Sequence, residues 1–488
     1  MPRFHELSAC EVVDKVSRQE ITAEEYAANL LGRIRMLDQK LHAYVTIIEE
    51  TAIEKARQID QKARKGEKLG RLAGSAIAVK DNISTKNVRT TCSSRMLEQF
   101  MPPYNATVVE KLETEDAVIL GKTNMDEFAM GTTTESSYFG ATRNPWNTAK
   151  VPGGSSGGSA TAVAADESAT ALGSDTGGSI RCPASFCSTV GLKPTYGLVS
   201  RYGLIAYANS LEQIGPLAKN VQDCALLLSV LGGHDPRDST SADLPAKDYV
   251  TLLRDGVKGF RIGLPAEFFG EGVEESVKKH VWAAIHRLED LGATYEEFSV
   301  PSIDFALATY YVIAMSEASS NLARYDGLRY GYRVTNDDAD WPTIYARDRR
   351  IGFGDEVRRR IILGTYALSA GYYEQYYLKA LKVRTILRKD FEGAFKKFDL
   401  LIGPTMPMLP FNIGEKIEDP LTLYACDILT VPANLIGCPA LSIPCGFSNN
   451  LPVGLQLIGK PFCEDAILQA AYTFEQNTDF HKRRPNLS

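Results

Sequence analysis

The chain has 488 residues, 44% of them hydrophobic and 23% charged; this is the make-up of a folded globular protein and excludes a disordered or fibrous one. Lys and Arg number 54 against 60 Asp and Glu, a net charge of −6, so the chain lacks the basic surplus of an autonomous nucleic-acid binder. No apolar run approaches the roughly 18 residues of a membrane helix, the N-terminal segment lacks a secretory signal's apolar block, and the nine Cys form no CxxC pair. Buried, reduced thiols in a cytoplasmic protein without a metal site are therefore expected.

In chain order, residues 1–60 predict a helical N-terminal arm. Ser8-x-x-Glu11 and Thr22-x-x-Glu25 fit the capping-box pattern, and Tyr26, Leu30, Leu31, Ile34, Leu37 and Leu41 recur at helical spacing. A polar stretch over 61–71 separates the arm from a different texture. From about 72 to 230, short apolar runs alternate with Gly- and Ser-rich segments. Ala76–Val79 and Ala117–Leu120 read as buried strands with helical segments between them. That alternation predicts an α/β fold, a mixed sheet covered by helices on both faces. A polar connection follows at about 232–249. A helix-rich region covers about 250–420, opening with a strand at Phe260–Leu264 and an amphipathic helix carrying Val273, Val277, Val281, Ile285, Leu288 and Leu291. Residues 303–325 and 355–397 are long helical patterns, and Asp399–Ile402 is a strand candidate. From 421 to 488 the chain returns to the core through a strand at 451–459 and a helix.

Residues 153–160, GGSSGGSA, are the stretch poorest in side chains. A flexible linker has this composition, but the segment lies between apolar runs of the sheet rather than between domains. A second small-residue loop, GSDTGGSIRCP, spans 173–183, and Thr176–Ser179 offers consecutive backbone N–H groups suited to an oxyanion. Lys80 stands at the end of an apolar strand. Three chemistries compete for these residues. GGSSG matches the nucleophile elbow of Ser-His-Asp hydrolases, yet none of the six His (His5, His42, His234, His280, His286, His481) occupies an evident strand-end position. Gly121-Lys122-Thr123 resembles the end of a phosphate-binding loop, but Asp116 stands where that pattern needs Gly. Ser276-x-x-Lys279 lies in a charged helix. A Ser nucleophile with Lys80 as base remains.

Lys80, GGSSGGSA (153–160) and DTGGSIR (175–181) together resemble the amidase signature family. TNMDEFAMG (123–131), VGLKPTYG (190–197), SLEQIGPLAKN (210–220), YYVIAMSEASSNLARYDG (310–327) and GTYALSAGYY (364–373) are similar to one branch of it, the A subunits of tRNA-dependent amidotransferases. The resemblance implies an amidase domain over 61–488, whose helix-rich 250–420 shapes the substrate pocket. It places the nucleophile on Ser179, a bridging Ser after a non-proline cis peptide on Ser155, and the base on Lys80. The oxyanion donors fall on the backbone N–H groups of Thr176, Gly177, Gly178 and Ser179. Two positions depart from the branch: Cys182 replaces a frequent Gln and Ser188 a frequent Gly.

The physical requirements run parallel. A Ser hydroxyl needs a base, and Lys serves only when neutral. Its ordinary pKa of about 10.4 must fall by roughly three units, about 4 kcal/mol, to work near pH 7, and burial supplies such a shift. Ser155 can accept one proton while donating another. Free glutamine carries an ammonium and a carboxylate, so a selective pocket needs an anion and a guanidinium. Asp427 matches the branch's ammonium site, Arg359 or Arg360 its carboxylate site, and Tyr310, or else Tyr311, a substrate-contacting Tyr. Of Arg358, Arg359 and Arg360, at least one is expected to be a solvated charge. The resemblance further implies no cofactor in this chain, with ATP and Mg used by a B subunit that carries the kinase and transamidase site and holds mischarged tRNA, and a small C subunit joining the two. The expected reaction hydrolyses glutamine through a glutamyl-enzyme and supplies ammonia to make glutaminyl- or asparaginyl-tRNA. A stand-alone amidase on small amides would share Lys80, Ser155 and Ser179 but need neither Asp427 nor an Arg clamp.

Overall fold

In the computed structural model, which describes residues 4–334, 339–416 and 419–487, the apolar runs pair into one sheet of 11 strands. In chain order these are β1 (Tyr44–Ile47), β2 (Ala76–Lys80), β3 (Val118–Thr123), β4 (Thr170–Asp175), β5 (Val190–Lys193), β6 (Gln213–Ala218), β7 (Arg261–Pro265), β8 (Thr294–Phe298), β9 (Leu400–Pro404), β10 (Ala440–Ser448) and β11 (Leu451–Gly459). Their spatial order is β1-β3-β2-β4-β6-β5-β10-β11-β9-β7-β8. β2 runs parallel to β3 and β4, and β7 runs parallel to β8 and β9; the other pairs are antiparallel. The fold is thus α/β with a mixed sheet, as the sequence predicts.

Helices cover both faces, which explains why the strands are apolar on successive residues rather than on alternate ones. In β2, Ile77 and Val79 enter one core while Ala76 and Ala78 enter another. Strand alternation puts Lys80 on the side of Ala76 and Ala78. That second core is closed by the N-terminal helices Ala9–Ser17 and Ala23–Leu41, which contribute Val12, Val16, Tyr26, Leu30 and Ile34. Both predicted capping boxes are present: Ser8 and Thr22 cap these helices, with Glu11 and Glu25 returning the bond. The arm differs from the expectation in one respect. It is not wholly helical, because Tyr44–Ile47 pairs antiparallel with β3 and forms one edge of the sheet. Its last helix, Glu49–Arg64, runs past residue 60.

The predicted strand at 451–459 is β11, and the amphipathic pattern after it begins its helix at Glu464. The long pattern over 355–397 divides into Asp355–Leu368 and Lys379–Lys397, joined through a π-helical turn at Glu374–Leu378. Gly121-Lys122-Thr123 lies inside β3 and forms no loop, which removes the phosphate-loop reading. The linker reading of 153–160 fails as well. Residues 153–160 are buried, and Gly157–Ala164 is a helix. No helix among the described residues is long and apolar enough to cross a membrane. No group of three or more His, Cys, Asp or Glu among them could hold a metal ion.

Candidate active site

Parallel pairing brings the two ends of the signature together. Val79 of β2 stands opposite Leu172 of β4, so the carboxyl ends of both strands deliver Lys80 and Ser174 to one place. Ligands gather at such carboxyl ends in sheets of this kind. Lys80 is fully buried, and its Nζ lies 2.8 Å from Ser155 Oγ, 2.9 Å from Ser174 Oγ and 3.2 Å from Ser174 O. The Gly154–Ser155 peptide is cis. Ser156 N–H donates to Ser179 O at 3.0 Å, which clasps the Ser155 loop to the Ser179 loop. Ser179 sits between β4 and the buried helix Arg181–Cys187.

Burial pulls the Lys80 ammonium down to about 7, against the opposing charges of Asp126 and Asp175. An amine there is neutral in half the molecules near pH 7, the condition a general base needs. Asp126 is itself fully buried. It accepts from the N–H of Thr133 (3.2 Å) and Thr134 (2.9 Å) and from Ser136 Oγ (2.9 Å), while its own N–H donates to Ser155 O at 3.3 Å. It therefore holds Ser155 to the 133–136 turn.

The Thr176–Ser179 loop is shaped by a second buried acid. Asp175 pairs with Arg181 at 3.0 Å, both side chains being inaccessible to solvent. Burial alone would raise the Asp175 carboxyl, but the Arg181 charge overcomes it and holds the group well below the usual range. Arg181 Nη2 also donates to Asp175 Oδ1 at 3.0 Å, and Gln456 and Asn434 accept from Nη1 and Nη2, each at 2.6 Å. Asp175 Oδ1 accepts from Gly178 N–H at 2.8 Å and Oδ2 from Ile180 N–H at 3.1 Å. This corrects one expectation: the Gly178 amide is committed to Asp175 rather than open to a substrate oxygen. The amides of Thr176, Gly177 and Ser179 make no hydrogen bond among the described residues. Gly178 holds φ at +137°, a region that favours Gly. Thr430 Oγ1 donates to Gly177 O at 2.6 Å and steadies the loop from the far side. A Cβ on Gly177 would collide with the Tyr310 ring; the absent side chain is what lets Tyr310 lie against the loop.

Asp427 is buried beside this loop. Tyr311 Oη donates to its Oδ2 at 2.7 Å and Thr132 Oγ1 to its Oδ1 at 3.1 Å. Burial pushes its carboxyl up to about 7, with Tyr311 and the charge of Arg360 opposing. The two Tyr of the helix Ala306–Leu322 thus take different places, Tyr310 against Gly177 and Tyr311 on Asp427. The three Arg also separate. Arg358 pairs with Asp355 at the surface. Arg359, 40% exposed, pairs with Glu356 and lines a cavity of about 480 Å³ together with Asp126, Gly131, Thr133 and Leu423. Arg360 is only 3% exposed. Its guanidinium donates to Glu356 and Tyr207 at 2.7 Å each and lies over the rings of Tyr207, Tyr311 and Tyr424. Arg360 is spent inside the protein, and Arg359 faces the space a ligand can enter.

Sequence reasoning missed Asp126, Thr132, Ser174 and Thr430, which the structure packs around Ser155, Asp427, Lys80 and the 176–179 loop. Ser174 was visible as the residue before the Asp175–Arg181 pair. The others lie in segments without unusual composition and became legible only through their contacts.

A model of the amidase family matches residues 25–468. The Glutamyl-tRNA(Gln) amidotransferase A subunit of Moorella thermoacetica is 58% identical, over 99% of this chain and 98% of its own length. The protein of the same description from Methanosarcina barkeri is also 58% identical, over 98% of both chains. The crystal structure of the Glutamyl-tRNA(Gln) amidotransferase A subunit from Thermotoga maritima superposes with a TM-score of 0.84 at 42% identity, covering 100% of this chain and 99% of that one. A bacterial aryl acylamidase of the amidase signature family superposes with a TM-score of 0.85 at 27% identity, covering 98% of each. These likenesses span the whole sheet and both loops around Lys80, and by them the chain belongs to the amidase signature family of enzymes.

Proposed function

We propose that this chain is the glutamine-hydrolysing subunit of a tRNA-dependent amidotransferase. The observation that carries the reading is the buried amine of Lys80 2.8 Å from Ser155 Oγ, in a chain that also buries Asp427 beside the 176–179 loop and turns the Arg359 guanidinium to a cavity. Ser179 attacks the side-chain carboxamide carbon of glutamine. Its proton passes to Ser155 while Ser155's own proton passes to Lys80, so the relay ends with Lys80 as ammonium. The unpaired amides of Thr176, Gly177 and Ser179 bear the oxyanion. Lys80 then returns a proton through Ser155 to the departing nitrogen, and ammonia leaves. Water hydrolyses the glutamyl-Ser179 ester by the same path in reverse.

Asp427 receives the α-ammonium and Arg359 the α-carboxylate, with Tyr310 against the substrate. The freed ammonia serves a B subunit that uses ATP and Mg to activate Glu-tRNA(Gln), Asp-tRNA(Asn) or both, and that holds the tRNA; a small C subunit joins the two. The names of the relatives, which are A subunits of Glutamyl-tRNA(Gln) amidotransferases, support this assignment. The test is ammonia release from glutamine and from simple amides, by the chain alone and assembled with B and C subunits. Glutamine hydrolysis that rises on assembly and again with mischarged tRNA is expected. Strong partner-independent turnover of simple amides with no preference for glutamine would replace this reading with a stand-alone amidase.

A further inference from the structure

Lys80 has three neighbours, and their proton inventory is restrictive. A neutral amine carries two N–H donors and one lone pair. Ser174 O, 3.2 Å away, can only accept, so it takes one N–H. One N–H and the lone pair remain for two hydroxyls, Ser155 Oγ at 2.8 Å and Ser174 Oγ at 2.9 Å. If the lone pair faces Ser174, Lys80 cannot take a proton from Ser155. If it faces Ser155, Ser174 must accept from Lys80 and send its own O–H elsewhere. The other side-chain group at Ser174 Oγ is the carboxamide of Asn82, 2.9 Å away. Asn82 is 3% exposed, and its Oδ1 has no donor when Nδ2 is the end facing Ser174. The two ends of an amide are assigned by their hydrogen bonds rather than by shape. Turning this one exchanges the Nδ2 bond for one in which Oδ1 accepts the Ser174 O–H, and frees the lone pair for Ser155. Ser156 fixes Ser174 from behind, donating from Oγ to Ser174 O at 3.1 Å and accepting from Ser174 N–H at 3.3 Å.

We propose that Asn82 and Ser174 are positioning residues: the Asn82 carboxamide oxygen accepts the Ser174 hydroxyl proton and thereby points the Lys80 lone pair at Ser155. The inference rests on the Lys80–Ser155–Ser179 reading, not on which amide is cleaved. A readout independent of glutamine is sulfonylation of Ser179 by phenylmethanesulfonyl fluoride, followed by mass spectrometry of the full chain across pH. In that step the Ser179 oxygen bonds to sulfur, the S–F bond breaks, fluoride leaves, and the serine proton passes through Ser155 to Lys80.

Asn82→Ala and Ser174→Ala should slow labelling by about 10- to 100-fold at every pH, the scale of a misaligned reacting group, and should lower kcat on glutamine in the assembled complex without changing KM. Asn82→Asp keeps the acceptor and adds a negative charge beside Lys80. Its labelling should be slow at neutral pH and recover to near the wild-type rate once pH passes a limb raised by about one to three units. Ser174→Thr, which keeps the hydroxyl, should restore most of the rate. An Asn82→Asp protein as slow as Asn82→Ala at every pH would show that donation from Nδ2 is what matters, and would overturn the proposal. So would wild-type labelling rates and pH profiles in Asn82→Ala and Ser174→Ala. A wild-type chain labelled elsewhere than Ser179 would instead remove the nucleophile reading, and this inference with it.

Discussion

Two lysines stand on adjacent strands, both fully buried, and they teach what burial does and does not supply. Lys80 ends β2 and Lys122 lies in β3. Burial pulls Lys80 down to about 7 and Lys122 to about 8. Lys122 donates to Ile83 O, to Thr85 Oγ1 at 3.1 Å and to Thr90 Oγ1 at 2.9 Å, with the charge of Asp81 opposing its shift. Its three donors are used, and its partners lead nowhere. Lys80 instead reaches a hydroxyl on a loop clasped to Ser179. A depressed pKa makes a base available, and connection to a second hydroxyl makes it a catalyst.

The largest effect that could break this contrast is on turnover. Ser179→Ala and Lys80→Met should each lower glutamine hydrolysis by roughly ten-thousand-fold, as removal of one member of a nucleophile–base unit does. Lys122→Met should leave kcat within about twofold. The order should invert for stability, measured by denaturant unfolding. Met at 122 strands Ile83 O, two Thr hydroxyls and the Asp81 charge, a loss of about 1–3 kcal/mol. Lys80→Met strands Ser155 Oγ, but Ser174 O still accepts from Ser156 Oγ and Ser174 Oγ keeps Asn82, so its loss should be smaller, about 0.5–1 kcal/mol. Equal damage to kcat from both substitutions would end the distinction.

Next in size is substrate binding. Asp427→Asn and Arg359→Gln should each raise KM for glutamine by about 10- to 100-fold, the worth of one charge-assisted bond, with a smaller change in kcat. Arg360→Gln should lower stability instead, because Glu356 would lose a partner at 2.7 Å inside the protein. A KM effect confined to Arg360 would reverse the roles of the two Arg.

The contrast between the two lysines also marks how much the sequence discloses. Ala76–Val79 and Ala117–Leu120 read as strands because a sheet buried on both faces leaves unbroken apolar runs. Their texture does not separate Lys80 from Lys122. The three signature segments did, because Gly and Ser at fixed spacing around a Lys are chemically specific. The edge strand Tyr44–Ile47 was hidden inside a helical pattern, being short and flanked by helices. Arg359 and Arg360 could not be told apart, since adjacent helix positions point about 100° apart and only the packed neighbours Tyr207, Tyr311 and Tyr424 reveal which one is enclosed. The contacts of Asn82 with Ser174 and of Asp126 with the 133–136 turn close only when distant segments meet.

A smaller and sharper test uses pH. The proposed reaction needs Lys80 neutral, and its fraction neutral rises as pH climbs through about 7. The proposed reaction also needs Asp427 ionised to meet an ammonium, and its fraction ionised rises over the same range, about 7. Both signs agree, so kcat/KM should climb with two protons' slope below pH 7 and level above it. Asp427→Asn leaves one titrating group, and its limb should fall to a slope of one. An unchanged double slope would remove Asp427 from the pocket.

The smallest expected effect is at Ser188, next to the signature but outside its chemistry. The helix Arg181–Cys187 carries the Asp175 partner Arg181 at its start and ends at Ser188 with φ 59° and ψ 47°. That left-handed conformation costs a residue with a Cβ about 1–2 kcal/mol, and Gly is the residue that commonly closes helices there. The Ser188 hydroxyl is also buried without a partner. Ser188→Gly removes both costs and returns part of the gain as unfolded-chain entropy. The net should be a stabilisation of about 0.5–1 kcal/mol in denaturant unfolding, with kcat and its pH limb unchanged. A helix that ends two residues before a sheet strand can thus be tightened without touching the loop that precedes it. If Ser188→Gly altered the limb assigned to Lys80, the oxyanion loop and the end of this helix would be one mechanical unit, and the separation of stability from catalysis drawn between Lys122 and Lys80 would not extend to this part of the core.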